Sequence, residues 1–152
     1  MYNIILVPLD GSKRAEAILT HIKELARLYN AKVVFLRVIE HEPFSFPETS
    51  YKAEYHDQTE ALAALVESYL DGLKKDFSDN GIDCMVRIMN GPIVDAIVNT
   101  AEQENADLIA IASHGRTGLQ RVFYGSVAAG VLHRINRPLL LVRSRNVHPS
   151  ES

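Results

Sequence analysis

Five short apolar runs are spaced along this chain, and between successive runs lie segments whose apolar residues recur at helical intervals. The first run, Ile4-Ile5-Leu6-Val7, is apolar at every position, as suits a strand whose sheet is covered on both faces. Lys32-Val33-Val34-Phe35-Leu36-Arg37-Val38 is the second, rich in β-branched and aromatic residues. The third, residues 84–89, alternates and so suits an edge or a less buried position. Asp107-Leu108-Ile109-Ala110-Ile111-Ala112 and Pro138-Leu139-Leu140-Leu141-Val142 complete the set. In between, Ala15, Ile18, Leu19, Ile22, Leu25, Ala26 and Tyr29 make one helical stripe. A second stripe runs from Ala61 to Phe77 and stops at Asp79-Asn80-Gly81. Pro92 fits the first turn of a third helix, and a fourth opens near Gly125-Ser126. Periodicity fails over residues 40–50, where Pro43 and Pro47 break any helix or central strand. Strands alternating with helices require a parallel sheet with right-handed crossovers. The expected class is therefore α/β, a single doubly wound five-stranded parallel sheet with helices on both faces.

Bulk properties narrow the function. A chain of 152 residues suits one domain, and its net charge of −3 argues against a broad nucleic-acid face. A nucleotide held in one pocket needs only local positive potential. Cys84 has no second cysteine to pair with and reads as a small buried hydrophobe. The start lacks the charged region of a signal peptide, and no apolar run approaches the ~18 residues of a membrane span. A cytoplasmic protein without membrane or nucleic-acid partners is expected. The six histidines show no metal-ligand spacing, so no metal site is expected. Glu40, His41 and Glu42 read as a solvated polar cluster in the long loop.

In such a sheet, ligands bind beyond the carboxyl ends of the strands, where strand order reverses. Three turns lie on that edge: Pro8-Leu9-Asp10-Gly11-Ser12, the loop after Val38, and the stretch from Ala112 to Ser126. In the last, Ser113-His114-Gly115-Arg116-Thr117-Gly118 reads as a turn of small and hydroxyl residues leaving a buried strand. Glycines let backbone N–H groups approach a phosphate, and a helix start at Gly125-Ser126 adds free N–H groups and a favourable dipole. A glycine-rich surface loop followed by an ordinary Ser cap has the same spacing. No G-x-x-x-x-G-K-[ST] is present, and the first strand does not lead into G-x-G-x-x-G. Asp10 can cap a helix starting near Ser12 or meet a ligand at the switch point.

Five blocks in order resemble the universal stress protein family: Ile5-Leu6-Val7-Pro8-Leu9-Asp10-Gly11-Ser12, Gly91-Pro92, Ser113-His114-Gly115, Gly125-Ser126 and Arg137-Pro138-Leu139-Leu140-Leu141-Val142. Nucleotide-binding members carry Gly, two residues, Gly, nine residues, then Gly with Ser or Thr. Here Gly115, nine residues and Gly125-Ser126 match its second half. The resemblance implies strand order 3-2-1-4-5, an adenine nucleotide alpha hydrolase-like arrangement, over residues 1–143, with 144–152 a polar tail. It implies a nucleotide site of Pro8, Asp10, Val38, Ile111, Ala112, His114, Gly115, Arg116, Gly125, Ser126 and Val127. Asp10 would face the ribose, and the Val38 backbone the adenine. Gly115, Gly125, Ser126 and Val127 would hold the phosphates, with His114 and Arg116 nearby. It further implies homodimers through Leu139, Leu140, Leu141 and Val142.

The implied function is ATP binding by a stress-response or signalling module, through a ligand-dependent change of conformation or partner. No catalytic residue is assigned. One alternative is a slow ATPase or phosphotransfer enzyme, using His114 or Asp10 for a proton and Mg²⁺ or Mn²⁺ for charge. Another is a dimeric interaction protein that binds no nucleotide. Ala112 departs from the family's glycine: a left-handed backbone there makes alanine cost about 1 kcal/mol, whereas an extended one leaves only a steric question.

Overall fold

A computed structural model describes residues 1–13, 15–40, 52–114 and 125–144, with backbone alone at 52–59, 114 and 144. The elements alternate as expected: β1 (Ile4–Pro8), α1 (Ala17–Tyr29), β2 (Lys32–Ile39), α2 (Lys52–Asp79), β3 (Cys84–Asn90), α3 (Ile93–Gln103), β4 (Leu108–His114), α4 (Ser126–Arg134) and β5 (Leu139–Ser144). All pairings are parallel, in the order β3-β2-β1-β4-β5. The alternating run at 84–89 is indeed an edge strand.

Two cores explain why the central strands are apolar throughout. Ile5, Val7, Phe35 and Ala110 face one side, against Ile18 and Ile22 of α1 and Leu70 and Phe77 of α2. Leu6, Leu36, Val38, Ile109 and Ile111 face the other, against Ala96 and Ile97 of α3 and Ala128 and Val131 of α4. On the first side Phe35 and Phe77 meet edge to face with ring centroids 4.9 Å apart. On the second, α4 approaches α3 at Gly130, where a Cβ would stand 2.9 Å from a Val94 methyl. The start of β1 is fixed by Asp107, whose carboxylate accepts from the Asn3 N–H (2.9 Å) and the Ile4 N–H (3.1 Å).

Several boundaries differ from the sequence expectation, β5 among them, which runs from Leu139 to Ser144. α1 begins at Ala17, because a turn intervenes in which Ser12 Oγ accepts from the Ala15 N–H at 3.1 Å. α2 begins at Lys52, well before its apolar stripe, because residues 52–60 are too polar to register as a periodic pattern. Pro92 sits one place outside α3, as its N-cap, with extended backbone (ψ 131°). Ser113 and His114 belong to β4 and not to a turn, since β5 runs on to pair Ser113↔Arg143 and His114↔Ser144. Cys84 is buried, and desolvation raises its thiol pKa above the ordinary value, in keeping with the small-hydrophobe reading.

Candidate functional site

β1 is the shortest strand, with five residues against eight in β2 and seven in β4. Its ladder stops at Pro8↔Leu36 on one side and Leu6↔Ile109 on the other. Both neighbours run past it, so a notch opens beyond the end of β1. Strand order reverses at this point, with β2 and β3 on one side and β4 and β5 on the other.

The peptide groups lining the β2 wall follow from alternation. The Leu9 N–H donates to the Leu36 carbonyl at 2.8 Å, so Leu36 turns its peptide groups toward β1. Ile39, whose carbonyl accepts from the Gly91 N–H at 3.1 Å, faces β3 instead. Val38, two residues beyond Leu36, therefore turns its N–H and C=O toward the notch. Among the described residues, none of β1 stands in register with it. A donor and an acceptor are thus held side by side at the switch point, on a strand whose other edge is fixed by β3.

The floor is the turn after β1. Asp10 is exposed, and its Oδ1 accepts from the Ser12 N–H at 2.8 Å, so it orders this turn and does not cap α1. Gly11 holds φ 82°, a conformation in which a side chain is strained. Tyr69 lies within electrostatic reach of both Asp10 and Arg37. The Tyr69 hydroxyl donates to Glu16 Oε1 at 3.0 Å, which ties α2 to the residue preceding α1. Burial first, then Glu16 and the charge of Asp10, hold that hydroxyl well above the usual tyrosine range, against an opposing pull from Arg37. Sequence reading missed the Tyr69–Glu16 pair, because its two members are 53 positions apart and follow no motif.

The far wall comes from β4 and α4. Ile111 and Val38 are buried in the same core, and Val127 packs against it from the first turn of α4. Pro8 lies on that face by alternation with Leu6. Ala112 points the other way, into the α1/α2 core, and is 9% exposed. Its backbone is extended in the ladder with Val142; the only described non-glycine residues with positive φ are Asn30 and Asn105. The family's glycine is therefore not needed here for backbone reasons. Gly125 is the N-cap of α4 and offers no side-chain acceptor to the helix start, while Ser126 is exposed. By contrast, at the start of α3 the Ile93 N–H already has Glu40 Oε1 at 3.1 Å.

The structure thus brings Pro8, Asp10, Val38, Ile111 and the α4 start of Gly125, Ser126 and Val127 to the same carboxyl edge of the sheet. Ala112 lies in the same strand but faces away. His114 is placed by its backbone as the last residue of β4, and Gly115 and Arg116 lie outside the described residues. Among the described residues no group of His, Cys, Asp and Glu could hold a metal ion, and no helix is long and apolar enough to cross a membrane.

Comparison with known proteins follows the same outline. The model of the universal stress protein family matches residues 1–143. Universal stress protein MJ0577 of Methanocaldococcus jannaschii is 29% identical, over 96% of this chain and 98% of the relative. The solved structure of hypothetical protein MJ0577 is 32% identical with a TM-score of 0.79, over 96% of this chain and 99% of that one. Two more distant structures share the fold. A universal stress protein in complex with cAMP has TM-score 0.68 at 23% identity, over 95% of this chain and 98% of its own. The universal stress protein from Archaeoglobus fulgidus in complex with dAMP has TM-score 0.63 at 21% identity, over 93% and 98%.

Proposed function

The chain belongs to the universal stress protein family, and from that premise we propose that it binds ATP or a related adenine nucleotide in the notch beyond β1. The observation that carries this reading is the Val38 peptide pair, turned toward the notch beyond the end of β1, with the start of α4, where Gly125 supplies no side-chain cap, at the same carboxyl edge of the sheet. An adenine edge offers an amino donor beside a ring-nitrogen acceptor, which an adjacent C=O and N–H complement. The first N–H groups of α4, which have no side-chain cap among the described residues, suit an anion such as a phosphate with the helix dipole behind them. Asp10, whose Oδ1 accepts from the Ser12 N–H, would accept from ribose hydroxyls. The cAMP and dAMP complexes of fold neighbours are in keeping with an adenine nucleotide at such a site. Mg²⁺ or Mn²⁺ would accompany ATP as its counter-ion.

Binding then acts by population shift: whichever conformation or partner complex holds the nucleotide more tightly becomes dominant. A homodimer through β5 fits the same reading. Leu139, Leu140, Leu141 and Val142 pack on the two cores, yet the outer edge of β5 carries no further strand among the described residues.

Calorimetric titration with ATP, together with thermal melting, tests the proposal. At about 100 times Kd, one bound nucleotide stabilises by about 2.7 kcal/mol, which raises Tm by roughly 5–10 °C at this size. Phosphate release measured on the same samples separates binding from turnover. No heat and no shift at millimolar ATP overturns the reading.

A further inference from the structure

Glu40 is the one member of the polar cluster after β2 that is described, and it is not simply solvated. Its Oε1 accepts from the Ile93 N–H at 3.1 Å, across 53 positions of sequence. Ile93 is the first residue of α3, and its N-cap, Pro92, has no side chain able to take that bond. The carboxylate also sits at the positive end of the helix dipole. One residue earlier, the Ile39 carbonyl accepts from the Gly91 N–H at 3.1 Å. Two consecutive residues at the tip of β2 are therefore fastened to the turn between β3 and α3.

This matters because the tip overhangs. β1 stops at the level of Leu36, so residues 37–39 are held in the sheet by β3 alone, through Arg37↔Ile88, Val38↔Met89 and Ile39↔Asn90. The aim of the Val38 peptide groups into the notch then depends on how firmly the tip is anchored. We infer that Glu40 is a positioning residue for base selection, clamping β2 to α3 so that the Val38 N–H and C=O keep one fixed aim. The inference rests on the nucleotide reading above and adds to it a residue that touches no nucleotide. Guanine presents the opposite order, an oxygen acceptor beside a ring N–H donor. A rigid N–H/C=O pair that suits adenine leaves its own groups unpaired against guanine, whereas a loosened tip can re-aim to either.

The test compares ATP, GTP and inorganic tripolyphosphate by calorimetric titration of the wild-type protein, Glu40→Gln and Glu40→Ala, with melting curves alongside. Glu40→Ala is expected to weaken ATP by about threefold to tenfold, the range given by loss of one helix-start bond. Tripolyphosphate should bind as before and GTP at least as well as before, so the ATP:GTP preference falls by at least the same factor. Glu40→Gln keeps an acceptor oxygen and should keep most of the preference. If Glu40→Ala melts earlier yet retains the wild-type ATP:GTP ratio, Glu40 is only a helix cap and the inference is overturned. A wild-type protein that takes up no ATP refutes the nucleotide reading itself, an outcome distinguished by the first titration before any variant is compared.

Discussion

Ala112→Gly restores the family's glycine, and it separates two accounts of what that position does. Ala112 is extended, pairs with Val142 and is 9% exposed, with its methyl in the α1/α2 core. Glycine there loses backbone order worth about 0.5–1 kcal/mol within a strand. Removing the methyl forfeits about 0.8 kcal/mol of burial. Together these predict a loss of about 1–2 kcal/mol, or about 2–8 °C in Tm for a domain of this size. The side chain faces away from the core shared by Val38, Ile111 and Val127, so the proposed ATP site should scarcely notice. Affinity measured by calorimetry is expected to stay within about threefold, a change of well under 1 kcal/mol. A variant that melts higher than the wild type, or binds ATP ten times more tightly, would refute the reasoning. Either result would mean that alanine is strained here or that its methyl meets the ligand.

Gly11→Ala should cost about 1–2 kcal/mol in urea denaturation, because φ is 82° and no atom lies within 4 Å of the added carbon, so the penalty is one of backbone alone. Phe77→Ala should lose about 3–5 kcal/mol by the same assay, since the ring is fully buried against Phe35; a loss under 1 kcal/mol would contradict the packing described. Tyr69 holds its proton more tightly folded than unfolded, so its contribution is intact below pH 10.0, the ordinary tyrosine value, and drains away as pH rises above it. Tyr69→Phe should accordingly flatten the alkaline fall in stability, and an unchanged slope would speak against a raised value. On β5, the Ile109 N–H bonds the Pro138 carbonyl, which by alternation turns the Arg143 N–H away from β4. Arg143→Pro removes that outward donor, and light scattering should show a weakened dimer if copies join along this edge.

Much of the fold was legible in the sequence, for a local reason. A strand buried on both faces must be apolar at successive positions, and Ile4-Ile5-Leu6-Val7 announces this without any partner being known. A helix covering one face shows its stripe, as α1 does through Ile18, Ile22 and Ala26. The start of α2 was not legible, because residues 52–60 are too polar to carry a stripe. Pro92 was misplaced by one position, since the sequence permits proline either just inside or just before a helix. The end of β4 was illegible too: Ser113 and His114 look like turn residues and become strand only because β5 lies alongside them.

The site divides along the same line. By themselves, the residues determined a doubly wound sheet, a glycine at the turn after the first strand, and a helix opening at Gly125-Ser126. Those features depend on local conformation and on burial periodicity, both of which are written in adjacent residues. Only the tertiary structure decided which peptide groups are left without a strand partner among the described residues, that Ala112 faces away from the notch, and that Glu40 closes the start of α3. Each of these is a property of register: the length of one strand is measured against its neighbour, and no residue carries that comparison alone.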